Sequence, residues 1–79
     1  MSILVKLSTT LRGYVPDYNP AQGLTLPAAA PLSAAALAEE LGLPLGEIKV
    51  VMLNGRQVTL EAVVNDGDRI GYFPAVGGG

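Results

Sequence analysis

Cysteine, histidine and tryptophan are absent from the 79 residues, and phenylalanine occurs once. Without cysteine there is no disulfide, no thiolate metal site and no thiol nucleophile. Without histidine the commonest metal ligand and the commonest general base are missing. Catalysis by this chain would have to run through Asp, Glu, Lys or Tyr, a narrow repertoire. Charge is sparse too: five Lys and Arg stand against seven Asp and Glu, for a net charge of −2. The cations Lys6, Arg12, Lys49, Arg56 and Arg69 are scattered along the sequence. No basic stripe answers a phosphate backbone, so nucleic-acid binding is not expected. No apolar run approaches the roughly 18 residues that a membrane span needs. The first residues do not form a basic region, an apolar run and a cleavage site. A soluble, cytoplasmic protein with no membrane contact is the expectation.

What is present is apolar: 49% of the residues are hydrophobic, enough for one small core. A domain of this size buries only about 60% of its unfolded surface. Ile3, Val5 and Leu7 alternate with Leu4 and Lys6, which predicts a strand over 2–7. Ser8 to Gln22 is punctuated by Gly13, Pro16, Asp17, Asn19 and Pro20 and reads as a loop with turns. Leu11, Tyr14, Val15 and Tyr18 give that loop apolar area to lie against the body. The tyrosines suit packing better than chemistry. Leu24-Thr25-Leu26 forms a short second strand, which Pro27 confines to an edge because it cannot donate to a ladder.

The one clear helix begins at the N-cap Ser33 and presents Ala34, Leu37, Ala38 and Leu41 on a single face. Gly42 supplies the left-handed residue past its end, and Pro44 blocks continuation. Glu39 and Glu40 lie late in the helix and read as a solvated face rather than a partner contact. Glu47 to Leu53 is the strongest strand signal, with Ile48, Val50 and Met52 on one side and Lys49, Val51 and Leu53 on the other. Asn54-Gly55 suits a type I′ hairpin turn returning through Arg56-Gln57-Val58. Thr59 to Val64 is either one helical turn or an irregular crossing. Asn65-Asp66-Gly67-Asp68 is a tight turn, and Arg69 to Phe73 is the last strand.

The resulting order, β-β-α-β-β-β, predicts an α+β domain: a small mixed sheet of four to five strands with one main helix across one face. The other face stays open. Val51 and Leu53 share a side of their strand and are the expected apolar patch there, either a partner surface or ordinary surface hydrophobicity.

The last seven residues are Phe73-Pro74-Ala75-Val76-Gly77-Gly78-Gly79. Glycine lacks a Cβ, so such a segment is thin enough to enter a narrow cleft. Taken alone it is equally a frayed terminus or an expression remnant. In combination with the strand order, Asn54-Gly55, Asp66-Gly67-Asp68 and the helix running from Ser33 to Gly42 into Leu43-Pro44, it resembles the ubiquitin-like sulfur carriers. These include the molybdopterin synthase small subunit and the thiamine-biosynthesis sulfur carrier. Phe-Pro-Ala-Val before the glycines is closer to the molybdopterin-synthase type. Two features depart from the family: three glycines stand where two are usual, so that the tail is longer or trimmed, and the Gly13 to Gln22 loop is rich in proline and tyrosine.

The resemblance implies a β-grasp domain over residues 1–76 and a flexible tail over 77–79. It implies a non-catalytic protein with no bound cofactor. The Gly79 carboxylate would be adenylated with ATP by a partner resembling the ubiquitin-activating enzymes, then converted to a thiocarboxylate by a sulfur donor. A molybdopterin-synthase-like large subunit would consume the sulfur. Gly77 and Gly78 would thread partner active sites, with Val51, Leu53, Phe73, Pro74 and Val76 touching the partner. A ubiquitin-like protein modifier and a non-covalent β-grasp adaptor are the alternatives.

Overall fold

In the computed structural model, which describes residues 2–16, 18–27 and 31–74, the alternation of Ile3, Val5 and Leu7 forms β1 (Ser2–Leu7) and buries all three. A 3₁₀ helix follows (Thr9–Tyr14), then β2 (Leu24–Pro27), β3 (Leu32–Ser33) and α1 (Ala34–Glu40). A 3₁₀ turn at Leu45–Glu47 leads into β4 (Ile48–Leu53), β5 (Arg56–Val58), β6 (Val63–Val64) and β7 (Arg69–Pro74). Five strands make one mixed sheet in the order β2-β1-β7-β4-β5. Its two inner neighbours β1 and β7 run parallel, and the other pairs are antiparallel. With one α-helix beside it, this is the expected α+β, β-grasp architecture. β2 lies at an edge, where Pro27 costs no ladder bond.

Helix α1 starts and stops on side-chain and backbone chemistry that the sequence spells out. The Ser33 hydroxyl accepts from the Ala36 N–H at 3.0 Å. At the other end Gly42 sits at φ +80°, its N–H bonding to Glu39 O at 3.0 Å and the Leu43 N–H to Ala38 O at 2.9 Å. That is the paired bonding of a Schellman motif, which satisfies the last carbonyls. Ala34, Leu37 and Ala38 are buried against Ile3 and Val5 of β1, Ile70 and Tyr72 of β7, and Val51 of β4 in one cluster. The Tyr72 hydroxyl donates to Ala34 O at 2.7 Å, tying the central strand to the helix. Burial pushes that phenol well above its ordinary range.

Three expectations need correction. Residues 9–14 are a 3₁₀ helix rather than a plain loop, because Leu11 is fully buried and its N–H closes a turn on Ser8 O. Residues 59–64 make a turn, closed by the Ala62 N–H on Thr59 O, and then β6, which pairs with β3 as a separate two-stranded ribbon. That pairing joins Leu32 to Val64, a contact between residues far apart in sequence. The third concerns β4. Its register against β7 slips between Ile48 and Val50, so Lys49 is an extra residue in a bulge. Ile48 and Val51 therefore both point at the helix. Val51 is 3% exposed and Leu53 packs partly against the core, so neither belongs to the open face.

Asn54-Gly55 does form the predicted two-residue hairpin turn, with φ of 53° and 84°. Its side chain also reaches the turn before β7. Asn54 Nδ2 donates to Asp68 Oδ1 at 3.0 Å, and Asn54 Oδ1 accepts from the Arg69 N–H at 2.9 Å. The Asn65 N–H donates to Asp68 Oδ2 at 2.8 Å. These donors hold the Asp68 carboxyl below its ordinary value of 3.8, the Asn65 N–H contributing most.

Two outcomes follow from this geometry. Gly23 has φ +77°, and a Cβ there would lie 2.8 Å from Val5 O, whereas a Cβ at Gly13 meets nothing within 4 Å. Chemical denaturation should show Gly23→Ala destabilised by about 1–3 kcal/mol, and Gly13→Ala within about 0.5 kcal/mol of the parent. Asp68 is the second case. Its folded pKa lies below the unfolded value, so its stabilisation is complete above that unfolded value. It disappears as pH falls through the folded pKa. Between about pH 5 and about pH 2 the parent should lose more stability in urea titrations than Asp68→Asn does; equal losses would refute it.

Candidate functional site

β7 carries the chain from the middle of the sheet toward residue 75, so the surface beside its last residues is the candidate site. Along β7 the side chains of Ile70 and Tyr72 enter the core, while Arg69, Gly71 and Phe73 take the opposite, open face. Cross-strand register places Leu4 beside Arg69, Lys6 and Met52 on either side of Gly71, and Val50 beside Phe73. An open hollow of about 320 Å³ lies among Leu4, Lys6, Met52, Arg69, Gly71 and Phe73. Gly71 makes its floor. A Cβ on Gly71 would come 3.3 Å from Phe73 Cε1, so the aromatic ring leans back along its own strand over the glycine. Phe73 remains 36% exposed.

At the end of the sheet where β7 leaves, the 3₁₀ helix Thr9–Tyr14 packs against β7 and side chains tie it to β1 and to the turn ahead of β4. Arg12 Nε donates to Leu7 O at 3.0 Å, and the Leu7 N–H donates to the Tyr18 hydroxyl at 2.7 Å. On the other flank the Tyr14 hydroxyl donates to Glu47 Oε2 at 2.8 Å, one residue before Ile48, the partner of Pro74. The carboxylate acceptor raises the Tyr14 pKa, since ionising the phenol would break that bond and set two anions together. Tyr18 and Tyr72 have hydrogen-bonded structural roles, and Tyr14 an exposed one.

Of the expected site residues, Phe73 and Pro74 lie beside the hollow or at the strand's end. Val76, Gly77, Gly78 and Gly79 lie outside the described residues. Val51 and Leu53 are on the helix side, as given above. Leu4, Lys6, Met52, Arg69 and Gly71 were missed. Reading the alternation of β1 and β7 together would have found them, and so would the single glycine inside an otherwise apolar strand. Among the described residues no cluster of three or more Asp and Glu side chains is placed to hold a metal ion. No described helix is long and apolar enough to cross a membrane.

A family model described as Mut7-C ubiquitin matches residues 1–77. The chain belongs to the Mut7-C ubiquitin family. No curated protein matches it significantly. Among solved structures, the solution structure of the Haloferax volcanii HVO 2177 protein is similar in fold, with a TM-score of 0.72 at 23% identity, over 100% of this chain and 87% of that one. A thiamine biosynthesis protein from Geobacter metallireducens is similar with a TM-score of 0.57 at 26% identity, over 100% of this chain and 88% of that one. The family match and the Geobacter metallireducens neighbour support the ubiquitin-like sulfur-carrier resemblance, and both neighbours support its β-grasp fold.

Tyr18→Phe should leave the Leu7 N–H without its side-chain acceptor. Amide exchange at Leu7 is expected to accelerate, with a global loss of about 1–2 kcal/mol. Unchanged protection at Leu7 would show that the bond is not made in solution.

Proposed function

We propose that the protein is a sulfur carrier whose working group is the carboxylate of Gly79. The observation that carries this reading is the delivery of the tail. β7 is paired on both sides through Tyr72 and by β4 alone at Phe73 and Pro74, so a central strand of the sheet reaches to five residues before Gly79. A carboxylate is a poor electrophile, and nothing on the described surface activates one. A ubiquitin-activating-enzyme-like partner supplies the activation. It joins the Gly79 carboxylate to AMP from ATP and releases pyrophosphate. The terminal sulfur of a persulfide donor then displaces AMP to give an acyl disulfide. A second thiol reduces that S–S bond, releasing the thiocarboxylate and leaving the two thiols joined as a disulfide. Gly77 and Gly78 supply the narrow segment that a partner's channel admits, since a Cβ adds width that glycine does not have. The carrier itself is non-catalytic, and a partner that uses ATP fits a cytoplasmic location.

The acceptor of the sulfur has two readings, each with its own observation. Phe73-Pro74-Ala75-Val76 before the glycines favours a molybdopterin-synthase-like large subunit, which would make molybdenum or tungsten cofactor synthesis the destination. The Geobacter metallireducens thiamine biosynthesis protein, similar over the full length of this chain, favours the thiamine type.

Incubation with the adenylating partner, ATP and sulfide should replace one oxygen of the chain by sulfur, read as intact mass and localised to Gly79 by fragmentation. Removal of Gly78 and Gly79, or one residue added after Gly79, should abolish the exchange. An unmodified mass under conditions that charge a control carrier overturns the proposal. Offering the charged carrier to each synthase then shows which one takes its sulfur. Covalent ladders on lysines in cells would instead identify a protein modifier.

A further inference from the structure

Asn54-Gly55 turns the chain between β4 and β5, and the Asn54 side chain does something further that the carrier reading leaves unused. The chain has three asparagines, followed by different residues: Pro20 after Asn19, Gly55 after Asn54 and Asp66 after Asn65. A backbone nitrogen can attack the side-chain amide carbon of an asparagine just before it and close a five-membered imide. Proline has no N–H to give up in that step. Glycine has no Cβ to hinder it, and the turn is open: Asn54 and Gly55 are exposed, and a Cβ built on Gly55 meets nothing within 4 Å. What withholds the reaction is the hold on the amide. Its Nδ2 donates to Asp68 Oδ1 at 3.0 Å and its Oδ1 accepts from the Arg69 N–H at 2.9 Å. Both ends of the amide are thus tied across to residues 68 and 69. The carbon between them reaches the Gly55 nitrogen only after that clasp opens.

We infer that Asn54 is a deamidation site held shut by its clasp on the turn before β7, and that its conversion makes an opening of the clasp permanent. In the first step Gly55 N bonds to Asn54 Cγ and the Cγ–Nδ2 bond breaks. The side-chain nitrogen leaves as ammonia, taking the Gly55 proton. Water then opens the imide at either carbonyl, giving aspartate or isoaspartate, and nothing is oxidised or reduced. Neither product remakes the clasp. Aspartate sets a carboxylate oxygen where Nδ2 donated, facing Asp68 Oδ1, while Asp68 Oδ2 already accepts from the Asn65 N–H at 2.8 Å. Two facing anions replace a donor and its charged acceptor. Isoaspartate puts Cβ into the main chain of a turn that closes with two residues at φ 53° and 84°. The released segment is the root of β7, which starts at Arg69. A passing separation of the hairpin from that root is thereby turned into a lasting one, whatever the tail carries.

The test is peptide mapping of the full chain during incubation in mildly alkaline buffer, reading amide-to-acid conversion at each asparagine. Conversion should concentrate at Asn54, with Asn19 unchanged, and should run at least about tenfold faster in the urea-unfolded chain than in the folded protein. Asp68→Ala removes the acceptor and should speed conversion of the folded protein about tenfold, leaving the unfolded rate as it was. Gly23→Ala destabilises the fold without touching the clasp and should stay near the parent rate. Equal folded and unfolded rates, or equal acceleration by Asp68→Ala and Gly23→Ala, overturn the gating. No conversion at Asn54 even in urea overturns the site itself. Permanence is tested by exchanging the partners. Asn54→Asp should lower the urea midpoint, and adding Asp68→Asn should restore most of the loss. In that double variant the amide at position 68 donates to the carboxylate at position 54, and its oxygen still accepts from the Asn65 N–H. An Asn54→Asp midpoint equal to the parent's, or a double variant no more stable than Asn54→Asp, overturns the permanence.

Discussion

The parallel pairing of β1 with β7 is the constraint from which the remaining structure takes its form. Leu4 to Leu7 lie beside Arg69 to Tyr72, so the first and last strands are neighbours in the middle of the sheet. Two parallel neighbours cannot be joined by a hairpin, and here the whole intervening chain is the connection. Everything between them must therefore attach outside this pair or across it. β2 takes the free edge of β1, the β4–β5 hairpin takes the free edge of β7, and α1 covers one face. β7 itself is held on both sides through Tyr72 and by β4 alone at Phe73 and Pro74.

The same pairing gives the two faces of the sheet different chemistry. The helix side collects Ile3, Val5, Leu7, Ile70 and Tyr72, and closes around them without leaving a buried side-chain polar atom unpartnered among the described residues. The open side collects the residues that alternate with these. Their shared character is cationic and apolar, and it arises only once the strands are laid side by side. Lys6 and Arg69 are more than sixty residues apart in sequence, yet they edge one hollow.

Sequence and structure agree where the signal is local. Ser33, Gly42 and Asn54-Gly55 mark backbone conformations that few other residue types satisfy so well, and each marks an observed cap or turn. The strands with clean alternation, 2–7 and 69–73, were legible for the same reason. What was not legible depends on partners distant in the chain. Val63 and Val64 form a strand only because Leu32 and Ser33 lie opposite. The face of Val51 was misread because the bulge at Lys49 changes the phase of β4, and no residue in that run signals an interruption. The 3₁₀ helix at Thr9–Tyr14 is shaped by Leu11 entering the core, which turn-forming residues around it conceal. For the site, the tail was conspicuous in the sequence and the hollow beside it was not.

Parallel central strands also separate the two ends of the domain. β1 enters the sheet at the end where Ser2 accepts from Gly67, and β7 leaves it at the end where Pro74 faces Ile48. Six extended residues span roughly 20 Å, so whatever is joined ahead of Ser2 emerges about that far from the base of the tail. A label, a surface tether or another folded unit attached on that side would sit about that far from Pro74 and the end of β7.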